Sequence, residues 1–370
     1  MRNRELIMDQ TTSDLIRALR LIMIMGLILV HFGNFPGETL SPFTGVVEPE
    51  NFLASSFNSF FTYFFLSSVP VLSMISGYLF CYRGKPDFIA SFKRKSQTLV
   101  APSLFWTSMW FLFAYALFLA SGYSDKIDFY ADVFNELSIL DFFNAIIGIT
   151  DSPLAMQFWF IHDLALSILI SPIIYPIIKR LSILPLIMLF TLWLFEWKPP
   201  IFFNLKVLTF FIVGIYLAVH KTPISLPEPN SIFLIFIPIS IILTLIRIYT
   251  PIYFDGSMPY ETMIELLLRI TGSIAAVMIT IQLNVLTPKV YRWCVNHSGY
   301  SFFLYAAHYP LVTYVKKALD MTGFFNGEGG MITLWIITTV LTVSVILLLA
   351  EAMNKLTPKV YYFLNGQRSI

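Results

Sequence analysis

The sequence predicts an all-α integral membrane protein, a bundle of about ten transmembrane helices with both termini in the cytoplasm. First, 57% of the 370 residues are hydrophobic and only 12% are charged, against about 25% charged residues in an average soluble domain. Second, apolar stretches of helical length recur along the chain. Third, Lys and Arg are distributed unevenly between the connections that separate these stretches, and the richer side is predicted to be cytoplasmic.

Taken in order, the apolar stretches define one continuous membrane domain. The predicted transmembrane helices cover residues 15–33, 56–80, 98–121, 157–178, 183–197, 201–219, 231–249, 262–285, 299–315 and 331–351. With the N-terminus inside, 17 of the 24 Lys and Arg residues fall on the cytoplasmic side and six fall outside. The predicted divisions are a cytoplasmic segment 1–14, a transmembrane domain 15–351 and a cytoplasmic tail 352–370. In the long outer connection 122–156, residues 129–149 are compatible with an interfacial helix.

Composition also excludes some functions. A net charge of +2 gives no electrostatic reason to expect nucleic acid as a partner. Cys81 and Cys294 are far apart and have no metal-ligand spacing, so we expect no metal. The first apolar stretch contains His31 and lacks a small-residue cleavage site, which indicates an uncleaved helix rather than a signal peptide.

The first predicted helix contains two candidate catalytic residues, Arg20 and His31. Eleven residues make about three helical turns, so both side chains lie on nearly the same face, roughly 16 Å apart along the axis. A neutral imidazole can accept a proton from a hydroxyl, and an inward guanidinium suits a phosphate. The alternatives are that His31 is a polar residue bonded near the headgroups, and that Arg20 extends to the cytoplasmic border.

The fourth predicted helix opens with Trp159, His162 and Asp163, which share one face because they lie at i, i+3 and i+4. An intramembrane Asp needs a partner, and Arg20 or Arg269 could supply the opposite charge. The alternative is structural: Trp159 would lie at the membrane interface, and the other two would clamp neighbouring helices together.

Two further predicted helices carry polar side chains on one face. One face of the ninth predicted helix carries Ser301, Tyr305 and His308. His308 is there either a second proton-transfer group or a residue that forms a hydrogen bond to another helix. Glu265 and Arg269 lie in the favourable i,i+4 order for an ion pair on the eighth, which we expect to be structural.

A basic run, Lys93-Arg94-Lys95, precedes the third predicted helix. Its first role is to fix the membrane topology of the chain, with anionic lipid as its neighbour. Its second candidate role is to hold the phosphates of a cytosolic cofactor.

Several short segments, taken in order, resemble the membrane acyltransferase-3 family from about residue 13 to 350. They are Arg20 and His31 with ten residues between them, 75–80 at the end of the second helix, 92–102 before the third, 158–160 with the later Ser171-Pro172, 210–214, and 299–308. Two differences are that close members have Arg where this chain has His162, and that many relatives carry a C-terminal esterase-like domain that is not expected here.

The resemblance implies O-acyl transfer, usually of an acetyl group, from cytosolic acyl-CoA to a hydroxyl of a lipid-linked or cell-surface glycan. It implies His31 as the general base, and Arg20 as the group that holds the donor phosphates or orients the acyl carrier. The further candidate contacts with substrate are His308, Tyr305, Ser301, Trp159, His162, Asp163 and Ser76. Expected partners are membrane lipid, acetyl-CoA or another acyl-CoA, the glycan acceptor and glycan-assembly proteins, at the bacterial cytoplasmic (inner) membrane.

Two other classes of protein would also use inward polar groups. One is a glycan or lipid-linked-intermediate transporter or flippase, although the sequence lacks the internal symmetry that many transporters show. The other is a non-catalytic membrane partner of a polysaccharide synthase, in which Arg20 and His31 would tolerate substitution.

Overall fold

The computed structural model describes residues 8–38, 41–46, 50–120, 134, 138–222, 232–253 and 259–368. Within these ranges the chain forms helices and no β-strand, which confirms the all-α class. The α-helices of the first half are α1 (Gln10–Val30), α2 (Phe52–Phe65), α3 (Ser68–Cys81), α4 (Phe88–Lys95), α5 (Ala101–Ala120), α6 (Ile139–Ile146) and α7 (Trp159–Leu181). The second half continues with α8 (Leu184–Leu194), α9 (Leu205–Val219), α10 (Phe236–Tyr253), α11 (Pro259–Leu286), α12 (Pro288–His297), α13 (Ser301–Asp320), α14 (Gly327–Leu356) and α15 (Pro358–Leu364).

The described residues contain fewer candidate membrane crossings than the ten predicted. Each predicted span overlaps an α-helix. Within the ranges that the structure describes, six stretches are both long and apolar enough to cross a membrane: Phe52–Cys81, Phe88–Ala120, Met156–Leu181, Ile232–Pro251, Glu261–Leu286 and Gly327–Leu356. The predicted fifth span forms only α8, whose 11 residues extend roughly 16 Å, about half of a hydrocarbon core. The count of ten and the orientation of the termini therefore stay predictions.

Helix α1 is the central helix of the bundle. The side chain of Asp9 caps its first turn by accepting a hydrogen bond from the backbone nitrogen of Thr12 at 2.7 Å. Its buried residues are spread around the helix, and it contacts α2, α3, α11, α12 and α13. A helix buried on most sides can carry polar side chains into the interior.

Helices α3 and α9 approach each other closely because each has a glycine at the contact. A Cβ atom on Gly77 would lie 1.9 Å from the carbonyl oxygen of Phe211, and one on Gly214 would lie 2.0 Å from that of Met74. Only glycine fits at these two positions. Segments 75–80 and 210–214, which carry part of the family resemblance, thus bring α3 and α9 together.

The long outer connection is described only in part. Of residues 129–149, α6 (Ile139–Ile146) is helical, with a capping box formed by Ser138 and Asp141. The capping hydrogen bonds from Ser138 lower the pKa of the Asp141 carboxyl. The rest of the predicted interfacial helix lies largely outside the described residues.

Candidate active site

A cavity of about 220 Å³, the Arg20 cavity, lies toward the end of the bundle where α3 ends and α13 begins. Arg20, Lys95 and Arg368 line it, and the described residues along its wall include no Asp or Glu. Ser76 and Ser301 are also on the wall, and the hydroxyl of Ser301 is buried without a hydrogen-bond partner among the described residues. The three cations Arg20, Lys95 and Arg368 make this cavity suited to a phosphate-rich ligand.

The third cation, Arg368, comes from the C-terminal tail, which Asn365 fixes in place. The buried amide of Asn365 accepts from the backbone nitrogen of Phe303 at 3.1 Å, and donates to the carbonyl oxygens of Gly299 at 2.9 Å and Arg368 at 3.1 Å. The guanidinium of Arg368 lies over the ring of Phe302, 4.9 Å from its centroid. Burial, and then the charge of Arg20, lower the pKa of Arg368 to about 10, so it is still a cation at neutral pH.

The basic run of α4 is divided between the cavity and the surface. Lys95 is half-buried and lines the Arg20 cavity, whereas Lys93 and Arg94 are exposed and do not. A π-helical turn at Ser96–Val100 follows directly and leads into α5. Lys95 is therefore the member of the run that the structure brings beside Arg20.

A second cavity of about 350 Å³, the His31 cavity, lies toward the opposite end, where α1 ends and α9 begins. His31, Trp159 and Tyr305 line it together with the charged residues Lys206, Arg247, Glu265 and Arg269. His31 is the first residue after α1 rather than a residue within the helix, and its backbone N–H closes the last turn onto the carbonyl of Leu27 at 3.0 Å. The predicted span 15–33 thus ends earlier than expected, and its end points His31 into a cavity.

His308 lies behind His31, not on the cavity wall. The two rings are 5.1 Å apart between centroids, and His308 is fully buried. Its Nδ1 lies 2.7 Å from the carbonyl oxygen of Tyr305. Because a carbonyl can only accept, Nδ1 carries the proton, and Nε2 of the neutral ring has a lone pair. That Nε2 is buried and has no hydrogen-bond partner among the described residues.

A kink in α13 exposes backbone carbonyls beside this histidine pair. Tyr309 has non-helical torsions, and Pro310 has no N–H to donate to the carbonyl of Ala306. The amide of Gln157 supplies the missing donor, at 3.1 Å from the Ala306 oxygen and 2.7 Å from the Tyr309 oxygen. Gln157 thereby joins the start of α7 to the kink of α13.

Phe160 and Tyr305 line both cavities and form the partition between them. Tyr305 is buried, and its hydroxyl donates to the backbone carbonyl of Gln157. The two aromatic rings are 6.1 Å apart between centroids. The Arg20 and His31 cavities therefore meet at two aromatic side chains.

Charged residues of α9, α10 and α11 meet in the His31 cavity. Glu265 accepts from Lys206 Nζ at 3.0 Å and from Arg269 Nε at 3.0 Å, which confirms the predicted i,i+4 pair and adds Lys206 to it. Arg247 donates to Glu261 at 3.1 Å and lies over the ring of Tyr63. We call Lys206, Arg247 and Arg269 the cation group.

The predicted partner of Asp163 is wrong. Its fully buried carboxylate contacts the ring of His162 at 3.0 Å and accepts from the backbone nitrogen of Asn204 at 3.0 Å, and no ion pair with Arg20 or Arg269 is found among the described residues. His162 lines a separate cavity of about 80 Å³ beside α5, away from both larger cavities. The pair clamps α7 to the start of α9, which was the alternative interpretation. Trp159, by contrast, does line the His31 cavity.

Sequence reasoning missed three cations that line these cavities. Arg368 falls in the predicted cytoplasmic tail, and Lys206 and Arg247 are two of the six basic residues that the sequence places on the outer side. The available signal was that Lys206 and Arg247 lie within or directly beside apolar stretches, where a charge is costly unless it faces the interior. For Arg368 there was no comparable signal, because it is far from Arg20 in sequence.

Comparisons with known proteins identify the family of the chain. The family model described as an acyltransferase domain, that of the acyltransferase-3 family, matches residues 14–351. The chain is 26% identical over 325 residues to the succinoglycan biosynthesis protein ExoH of Rhizobium meliloti (strain 1021), which covers 85% of this chain and 83% of that protein. No solved structure matches the chain at a significant level. Because the family model covers most of its length, this multi-pass membrane chain belongs to the acyltransferase-3 family.

Proposed function

We propose that this protein is a bacterial cytoplasmic-membrane O-acyltransferase, which transfers an acetyl group from cytosolic acyl-CoA to a hydroxyl of a lipid-linked or cell-surface glycan. One observation carries the proposal: a cation-lined cavity and a histidine-lined cavity approach from opposite ends of the bundle and meet at Phe160 and Tyr305. A donor and an acceptor entering from opposite faces would bring their reacting ends together at this partition.

The Arg20 cavity is the proposed donor site. Arg20, Lys95 and Arg368 would pair with the phosphates of the acyl-CoA. Lys93 and Arg94 are exposed beside the cavity and would act at its entrance or on anionic lipid. Ser76 and Ser301 also line this cavity, where their hydroxyls would contact the donor.

The His31 cavity is the proposed acceptor site, with Trp159 and Tyr305 on its wall. His31 takes the proton of the acceptor hydroxyl as the oxygen attacks the thioester carbonyl carbon. The new C–O bond makes the ester, the C–S bond breaks, and the thiolate of the leaving CoA takes up a proton. The net reaction converts a thioester and an alcohol into an ester and a thiol.

Family membership supports the acyl-transfer chemistry, and the relative's name supports the glycan acceptor. ExoH is a succinoglycan biosynthesis protein, and succinoglycan is a polysaccharide. A glycan hydroxyl is therefore the acceptor we propose for this chain, delivered with the help of glycan-assembly proteins.

The test is acyl transfer by the purified protein in lipid nanodiscs, with labelled acetyl-CoA and a glycan acceptor. We expect an ester-linked label on the glycan, and a loss of transfer of about 10²-fold or more for His31→Gln, typical of removing a general base. His220→Gln, an exposed histidine at the end of α9, is the matched control and should keep activity.

Full activity in a folded His31→Gln protein would contradict the proposed base. Glycan export without turnover of acetyl-CoA would favour the transporter instead.

A further inference from the structure

The cation group has more positive charge than its own carboxylates balance. Glu265 is shared between Lys206 and Arg269, so these three residues have a net charge of +1. The carboxylate of Glu196 also interacts with Lys206, but Glu196 is exposed and lies outside the His31 cavity. Arg269 is only 8% exposed. An excess charge at such a buried position is costly unless an anion accompanies it.

Arg247 adds an unused hydrogen-bond donor to the same place. Its Nη2 donates to Glu261 at 3.1 Å, but its Nη1 is buried and has no partner among the described residues. The side chain is 11% exposed, and it lines the His31 cavity with Lys206 and Arg269. A buried guanidinium nitrogen without a protein acceptor is suited to donate to the oxygen of a ligand.

The cation group and His31 line the same cavity of about 350 Å³, a volume within the range of about 300–1,000 Å³ typical of ligand pockets. A further cavity of about 550 Å³ shares Lys206 and Glu265 with it and continues along the segment 196–206. A ligand larger than one sugar ring could therefore extend from His31 past the cations and out of the bundle.

We propose that the cation group binds an oxyanion of the acceptor, a carboxylate of an acidic sugar or a phosphate of its lipid carrier. The oxyanion accepts from Arg247 Nη1 and balances the charge that Lys206 and Arg269 leave over. An acceptor bound in this way presents to His31 a hydroxyl that lies at a fixed distance from the acceptor's own anionic group. This fixed distance selects which acceptor is used and which of its hydroxyls is acylated. This inference rests on the proposed function, since it assigns the acceptor of that reaction.

The test compares three acceptors in the nanodisc transfer assay with labelled acetyl-CoA. They are octyl cellobioside, which is neutral, the same glycoside with a C6 carboxylate, and cellobiose linked through phosphate to farnesol. For the wild-type protein we expect kcat/KM for at least one charged acceptor to exceed that for the neutral one by about tenfold or more, as for a hydrogen bond to a charged group. A preference for the uronide identifies an acidic sugar as the anion, and a preference for the farnesyl-linked glycoside identifies a lipid phosphate.

Two variants with opposite expected effects keep the result separate from loss of folding. Arg247→Gln should bring the ratio of charged to neutral acceptor close to one. Glu261→Gln removes the carboxylate that competes for Arg247, so it should raise that ratio. Arg292→Gln, an exposed guanidinium on α12, is the control and should leave the ratio unchanged.

Equal use of all three acceptors by the wild-type protein would overturn the anion site, as would variants that lower all three rates in parallel without changing the ratio. In both cases transfer to the neutral glycoside and its dependence on His31 would leave the proposed function standing. Transfer to none of the three would count against the proposed function itself, and against the anion site that rests on it.

Discussion

At the scale of single residues, the two histidines of the His31 cavity have different surroundings and different expected roles. His31 lines the cavity and can meet an acceptor hydroxyl. His308 is fully buried behind it, with Nδ1 committed to the Tyr305 carbonyl and Nε2 without a partner among the described atoms. We therefore expect His31 to touch the substrate and His308 to position His31.

His308→Phe tests this division of roles. A phenyl ring fills the same space but lacks both ring nitrogens, so His31 would lose its polar neighbour. We expect kcat to fall by up to about 10²-fold, the effect of a small misplacement of a catalytic group, with an unchanged KM for acetyl-CoA. Steady-state kinetics in nanodiscs measures both constants. If the variant gave less folded protein but the folded fraction had a normal kcat, His308 would serve only in packing.

Residue by residue, the sequence was informative where an ionisable group lies inside an apolar helix. Arg20 does line a cavity because a charge within a span is favoured on the interior side. The pairing of Asp163 was wrong because a backbone N–H, here that of Asn204, competes equally for a carboxylate and leaves no trace in the sequence.

At the scale of elements, the C-terminal tail is part of the Arg20 cavity. Helix α15 ends at Leu364, and the carbonyl of Leu364 accepts from the indole of Trp106 at 3.1 Å. Asn365 then satisfies the backbone nitrogen of Phe303 in the first turn of α13, a group that has no partner within its own helix. These bonds place Arg368 opposite Arg20.

Asn365→Ala should release Arg368 from the cavity. Three hydrogen bonds are lost, and each buried group left unpaired costs about 1–3 kcal/mol, so both the melting temperature and the affinity for acetyl-CoA should fall. Arg368→Gln should raise the KM for acetyl-CoA several-fold without the loss of thermal stability. Asn354→Ala, exposed on α14, is the matched control. An unchanged KM in both tail variants would remove the tail from the donor site.

Helix positions were predictable from hydropathy, but their ends and contacts were not. All ten predicted spans overlap helices, because an apolar stretch in lipid must satisfy its backbone internally. The break between α2 and α3, the kink of α13 at Tyr309 and the close contact at Gly77 depend on neighbouring helices. They could not be derived from periodicity in one segment.

At the scale of the whole molecule, the bundle separates two chemical environments along its long axis. The described wall of the Arg20 cavity carries cations and no carboxylate, whereas the His31 cavity is lined by histidine and a partly balanced cation group. The positive-inside distribution predicts that the first opens to the cytoplasm, where acyl-CoA is made, and the second to the outside. Under the proposed function, this arrangement would let two substrates from opposite sides of the membrane react at one aromatic partition.

The most direct test of this arrangement is the kinetic effect of one substitution in each cavity. Arg20→Gln should raise the KM for acetyl-CoA by about tenfold to a hundredfold, the effect of losing a charge-assisted hydrogen bond, with little change in kcat. His31→Gln should lower kcat by about 10²-fold to 10⁴-fold with the KM for acetyl-CoA unchanged. If both substitutions altered the same constant, or if Arg20→Gln left the KM for acetyl-CoA unchanged, separate donor and acceptor cavities would be contradicted.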